Sequence, residues 1–356
     1  MCLISKLCGF RGYMVNSVAS TKLLNRGIRM RRLVIIVSGV AACTVFVGLT
    51  AAAGPGPRTS IKALDAHSSR QISSAFNRLL PSPLYGVTAD DVSNTVQAAA
   101  GLQHLPEAPT TRIYFDVNEP AGYYTSAVNT LRPVSYLMGE LLDSSDSTSI
   151  STAAYSTRVN SYLAAFGSKV DLWEIGNEVN GNWTGSYPSV AAKLTAAYND
   201  VTAAGKRTAL TLYYNAGCGN GSAELDPFAF SRTYVPATVR NGLGYVLLSY
   251  YEADCNGIRP SAATWTAYFQ RLHALYPNAL LGFGEVGLRD PVTTRTMASA
   301  DSLVHYYYGL SVKLPYFVGG YFWWYFTEDG LPYTSKPLWG VLGNGFQAEA
   351  AAWAQK

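Results

Sequence analysis

Charge is scarce in this chain: only 14% of its 356 residues are Asp, Glu, Lys or Arg, against about 25% in an average globular sequence. Hydrophobic residues make up 48%, so a disordered chain and a coiled coil are both excluded. The apolar material is ample for a large core. Histidine is scarcer still, with four residues, His67, His104, His273 and His305, and none of them ends an apolar run. Metal-dependent hydrolases gather His and carboxylates at one place, so no metal centre is expected. No organic cofactor is expected either. No Gly-x-Gly-x-x-Gly follows the first apolar run, and there is no phosphate loop of the Gly-x-x-x-x-Gly-Lys type. A Ser-His-Asp enzyme is disfavoured by the lack of a Gly-x-Ser-x-Gly elbow.

A net positive charge is missing from most of the chain as well. The formal charge is +4, yet Lys6, Arg11, Lys22, Arg26, Arg29, Arg31 and Arg32 all fall in the first 53 residues, which hold no acid. The remainder has 20 basic and 23 acidic residues, so it offers no cationic face for nucleic acid. The basic segment reads as a leader, 1–53, with Met30 as the start of a secretory signal. Arg31-Arg32 precede an apolar run at 33–49, which Ala51-Ala52-Ala53 close. Cleavage is expected after Ala53, and the mature protein is expected to be secreted, periplasmic or at the cell surface. Two alternatives would tether it to a membrane. The run approaches the ~18 residues of a spanning helix, and Val40-Ala41-Ala42-Cys43 resembles a lipoprotein box. Cys2, Cys8 and Cys43 belong to this leader, leaving Cys218 and Cys255 as one expected disulfide of an exported chain.

A lead-in at 54–83 carries a helical pattern at 61–80, and the folded domain is expected over 84–356. Within it, short apolar runs alternate with amphipathic stretches. Strands are expected at 84–87, 111–116, 134–142, 170–177, 208–214, 245–251, 279–285 and 318–325. The clearest helix is 189–204, where Val190, Leu194, Tyr198 and Val201 share a face, Pro188 precedes and Gly205 follows. Eight such units predict an α/β fold, a closed (β/α)8 TIM barrel; an open doubly wound sheet is the alternative.

Barrels of this kind build their active sites at the carboxyl ends of the strands. Strand four runs Asp171-Leu172-Trp173-Glu174-Ile175-Gly176-Asn177-Glu178, and strand seven runs Leu281-Gly282-Phe283-Gly284-Glu285. Glu178 and Glu285 are thus expected to face each other across the mouth with their side chains in solvent. A pair of carboxylates with opposite protonation is what glycoside cleavage needs. Glu174 repeats the parity of Glu178 but lies about 13 Å deeper at ~3.3 Å per residue. An ionised acid at that depth needs a cation, and Arg112 on strand two is the expected partner, shared with Glu285. Glu140, Asp143, Glu252, Asp254, Glu328 and Asp329 also lie near strand ends, where some would touch substrate. Trp183 and Tyr187, in a loop rich in Asn and Gly, are candidate sugar platforms; His273 and His305 are expected as surface or packing residues.

These motifs resemble the clan A glycoside hydrolases, barrel enzymes with catalytic glutamates on strands four and seven. Asn177-Glu178 is similar to their Asn-Glu signature and Gly284-Glu285 to their nucleophile strand, and the resemblance covers residues 84–329. It implies a retaining hydrolase of β-type O-glycosidic bonds in an oligo- or polysaccharide. Glu178 would be the acid/base, Glu285 the nucleophile and Asn177 the ligand of the sugar 2-hydroxyl. Arg112 and Tyr251 would orient the nucleophile, and Trp323 or Trp324 would stack on the sugar ring. Cellulase-like members carry histidines on strands three and six, whereas 134–142 has none and strand six ends Ser249-Tyr250-Tyr251, which leaves the individual family open. The alternatives are a transglycosylase with the same residues and an inactive carbohydrate-binding barrel.

Overall fold

The computed structural model describes residues 78–214 and 225–355. The leader, the helical lead-in as far as residue 77, and Cys218 lie outside the described residues. Eight parallel strands form the barrel: β1 (Leu84–Ala89), β2 (Thr110–Tyr114), β3 (Tyr136–Glu140), β4 (Leu172–Glu174), β5 (Thr208–Tyr213), β6 (Tyr245–Ser249), β7 (Leu280–Glu285) and β8 (Gly319–Trp323). Consecutive strands pair in order from β1 to β7, and β8 pairs with β1. Parallel bridges Leu281 to Phe317 and Val286 to Trp323 join the two edges, so the sheet closes on itself.

Both faces of these strands are covered. All six residues of β1 and of β5 are buried, which is why the strands read as continuous apolar runs rather than alternating ones. The outer face packs on α1 (Thr95–Gln103), α2 (Thr125–Leu131), α3 (Thr152–Phe166), α4 (Tyr187–Ala203), α5 (Pro227–Tyr234), α6 (Ala237–Gly242), α7 (Ala262–Leu275), α8 (Met297–Tyr308), α9 (Phe326–Gly330) and α10 (Pro337–Trp353). Asn94, Ser151, Asp226 and Ser261 accept a backbone N–H at the starts of α1, α3, α5 and α7, satisfying donors that a helix start leaves open. Each large core side chain so buried contributes about 1.5–3 kcal/mol.

The barrel interior is layered. Its lower part is an apolar cluster that includes Leu84, Met138, Leu172, Ala209, Leu247 and Phe322. Met138 is in register with both Arg112 and Leu172, and Glu140 with Glu174. The acids therefore lie two residues above the apolar layer with the same parity, so a charged layer sits on a greasy floor. Beneath that floor, at the amino-terminal ends of the strands, Arg78 from the lead-in is buried. It donates Nε to Asp171 at 3.0 Å and its other nitrogens to the carbonyls of Arg132 and Ser135. Asp171 in turn accepts the Leu137 amide at 2.9 Å.

All eight expected strands are present, although several ends differ. β4 stops at Glu174 rather than running to Asn177: Ile175 and Gly176 still bond β5, but regular strand geometry ends and Glu178 adopts a left-handed φ of 45°. Gly319, Gly320 and Tyr321 also have positive φ. Only glycine fits at 320, where a Cβ would lie 2.3 Å from the Phe283 carbonyl oxygen of β7. That irregular backbone lets β8 reach both of its neighbours. Among the described residues no helix is long and apolar enough to cross a membrane.

Candidate active site

Arg112, near the middle of β2, is completely buried, and each side of its guanidinium meets a carboxylate. Nε donates to Glu174 at 2.7 Å and Nη1 to Glu285 at 2.9 Å. Nη2 lies 3.1 Å from Glu140 without the geometry of a hydrogen bond. The guanidinium shared by Glu174 and Glu285 is the one expected from the sequence. The third acid was not singled out there, since strand-end acids look alike until register is known. Burial by itself would ease the proton off Arg112, but Glu140, Glu174 and Glu285 outweigh it and hold it on more firmly than usual. Burial also raises the Glu174 carboxyl, against the pull of Arg112 and Thr211.

Glu285 accepts from three groups. Besides Arg112, Asn177 Nδ2 donates to Oε2 at 3.1 Å and the Tyr251 hydroxyl to Oε1 at 2.8 Å. Burial, with Glu285 and Glu178 nearby, pushes the Tyr251 hydroxyl well above its ordinary range, so it stays a donor. Glu178 has a different setting. Ser144 Oγ donates to its Oε2 at 2.9 Å and Ser249 Oγ to its Oε1 at 2.5 Å. Asn177 joins the two halves, because its Oδ1 accepts the Ser144 amide at 3.1 Å while its Nδ2 faces Glu285. That backbone donor fixes which end of the amide points where. Arg112, Asn177, Tyr251, Glu178 and Glu285 are thus brought into one network. Ser144 and Ser249 are its unforeseen members; the only signal for Ser249 was its place where related barrels carry histidine.

The two glutamates do not face open solvent as expected. Glu178 is 1% and Glu285 3% exposed: two serines meet the first, and Arg112, Asn177 and Tyr251 the second. The tryptophan pair divides. Trp324 places its ring 5.2 Å from the Arg112 guanidinium, bordering the site, while Trp323 is buried and donates Nε1 to Asp329 at 2.8 Å. Trp183 is half-buried, edge-on to Tyr213 at 5.1 Å. Tyr187 is not a platform: it starts α4 and packs on Phe230 and Tyr234. Other strand-end acids are engaged structurally. Glu252 pairs with Arg259. Asp254 pairs with Arg289 and accepts from Tyr213 at 2.9 Å. Asp329 also accepts the Val292 amide at 2.6 Å. His273 stacks on Tyr316 and His305 is exposed. Cys255 is buried just beyond β6; its expected partner Cys218 lies outside the described residues.

Among the described residues no group of three or more His, Cys, Asp or Glu could hold a metal ion. Hydrogen-bonded carboxylates beneath an aromatic ring can perform proton transfer and nucleophilic attack without one.

No protein-family model and no curated protein matches the chain. Its fold is similar to that of the GH10 xylanase from Bispora sp. MEY-1 with xylobiose. The TM-score is 0.51 at 15% identity, over 75% of this chain and 96% of that one. It is also similar to the catalytic domain of the major endoglucanase from Xanthomonas campestris pv. campestris (0.46, 16%, 78% and 98%). A third match is a Thermotoga maritima β-glucosidase (0.46, 12%, 72% and 86%). The chain shares the (β/α)8 fold of glycoside hydrolases, and the clan A resemblance is met at the level of fold.

Proposed function

We propose that the protein is a retaining glycoside hydrolase of β-type O-glycosidic bonds in oligo- or polysaccharides, with Glu285 as nucleophile and Glu178 as acid/base. The observation that carries the reading is the unlike company of the two glutamates. Glu285 accepts from a guanidinium, an amide N–H and a phenol, groups that suit an anion. Glu178 meets two serine hydroxyls, each of which can donate or accept, so it keeps its partners whether it holds a proton or not. A residue that must give a proton to the leaving oxygen and later take one from water needs that tolerance.

In the first step Glu285 attacks the anomeric carbon while Glu178 protonates the departing oxygen. In the second, Glu178 deprotonates a water that attacks from the face the leaving group vacated and displaces Glu285, so the configuration is retained. Asn177 bonds Glu285 directly and reaches Glu178 through Ser144, and it is suited to the sugar 2-hydroxyl. Trp324 is the candidate for stacking on the ring, with Trp183 further out. The leader supports export, and a Cys218–Cys255 disulfide would suit an oxidising compartment; an intact mass lower than that of the reduced chain by two hydrogen atoms would report it.

Purified protein offered a panel of aryl β-glycosides and polysaccharides, with the first-formed anomer followed by proton NMR, tests the assignment. Retained configuration is expected. An inverted product, or no turnover on any β-glycoside, overturns it; products larger than the substrate would mark a transglycosylase.

A further inference from the structure

Resting on the reading above, we propose that Glu140 is the proton-holding member of the buried trio around Arg112, and that as a neutral group it is a positioning residue for the nucleophile Glu285. One guanidinium faces three carboxyl groups; Arg112, Glu140 and Glu174 are fully buried and Glu285 nearly so. Three buried anions on one cation leave two charges uncompensated, and the proton settles where donors are fewest.

Donors are distributed unequally. Glu174 accepts from Arg112 Nε and from the Thr211 hydroxyl. Glu285 accepts from Arg112, Asn177 and Tyr251. Neither oxygen of Glu140 has a hydrogen-bond donor; it has only the 3.1 Å charge contact with Nη2. The groups that face it come from every side: Arg112 on β2, Glu174 on β4, Glu285 on β7, Asp143 just past its own strand, and the Tyr155 phenol on α3. Only Arg112 favours an anion there. Burial acts in the same direction as the acids and raises the Glu140 carboxyl well above the usual range.

A neutral Glu140 leaves the Arg112 charge to Glu174 and Glu285, and blocks the side toward which the guanidinium would otherwise turn. Glu285 then keeps a fixed cationic partner without competition from a third anion.

Infrared difference spectroscopy reads this directly. At neutral pH the wild type minus Glu140→Gln spectrum is expected to show the carbonyl stretch of a protonated carboxylic acid. Only carboxylate bands in that difference would overturn the proposal. If that variant does not fold, Glu178→Gln protein carrying 13C-carboxyl glutamate serves instead, so that the acid/base adds no protonated resonance. One carboxyl resonance is expected to keep its protonated shift through neutral pH, and its absence overturns the proposal. Neither readout needs turnover, so their failure is separate from failure of the glycosidase reading. With hydrolysis as readout, Glu140→Leu is expected to lower kcat about tenfold with little change in KM, and Glu140→Gln to recover most of that loss with the acidic limb of kcat/KM in place. A Gln variant as impaired as Leu, or an acidic limb moved to lower pH, would mean that Glu140 is an anion.

Discussion

In the proposed reaction two glutamates of one chemistry take opposite duties from the side chains beside them. Asn177 makes that division local, since it is bonded to Glu285 and, through Ser144, to the surroundings of Glu178. Glu285→Gln and Glu178→Gln are each expected to lower kcat by several orders of magnitude with the circular dichroism spectrum unchanged; near-normal turnover in either would remove that residue from the reaction. Glu174 has a different fate. Glu174→Gln keeps the shape but takes one anion from Arg112, and ionisation of Glu140 offsets part of that loss. The expected cost is therefore about 1–3 kcal/mol in denaturant unfolding, below the 3–5 of an uncompensated buried pair. Arg112 then bears more fully on Glu285, so the acidic limb of kcat/KM is expected at lower pH, with catalysis retained.

The strands were more legible than their endings. Apolar runs marked all eight strands because both barrel faces are buried, and Trp173-Glu174-Ile175-Gly176-Asn177-Glu178 marked the site because polar residues end an otherwise apolar strand. The departure at Glu174 was not legible: a left-handed φ at Glu178 has no local cue when the residue is not glycine, and it answers to the hydrogen bonds it enables. Solvent exposure of the glutamates was misjudged for a related reason, as Ser144 and Ser249 come from other segments. Asp90, at the end of β1, also depends on distant chain. It accepts from Thr327 on α9, and burial, with Glu328 next, raises its carboxyl from 3.8 to about 8. A raised acid stabilises the fold below its ordinary range and loses that contribution as pH rises through the folded value. Asp90→Asn is therefore expected to raise the melting temperature at pH 9 and to have much less effect at pH 4. An equal change at both would show that Asp90 does not titrate high.

Among the described residues the barrel is closed below by Arg78 and gathers its polar network above. Arg78 closes the lower end by tying residues from the lead-in to Asp171 and, through it, to β3 and the turn before β4. Arg78→Ala leaves the buried Asp171 carboxylate without its cation and is expected to cost about 3–5 kcal/mol in thermal or denaturant unfolding, without altering the upper site; a loss under 1 kcal/mol would make the plug dispensable. The (β/α)8 plan follows from chain-wide periodicity, whereas the function rests on the few groups that converge where the strands end. The covalent intermediate tests that convergence most directly. In Glu178→Ala, an aryl glycoside with a good leaving group needs no acid for the first step, but water is no longer activated for the second. Mass spectrometry of acid-quenched, protease-digested protein is expected to find one sugar residue on the peptide that contains Glu285, and none when Glu285→Gln is added. Turnover of that glycoside with no sugar on Glu285, or with the sugar on another residue, would contradict the assignment.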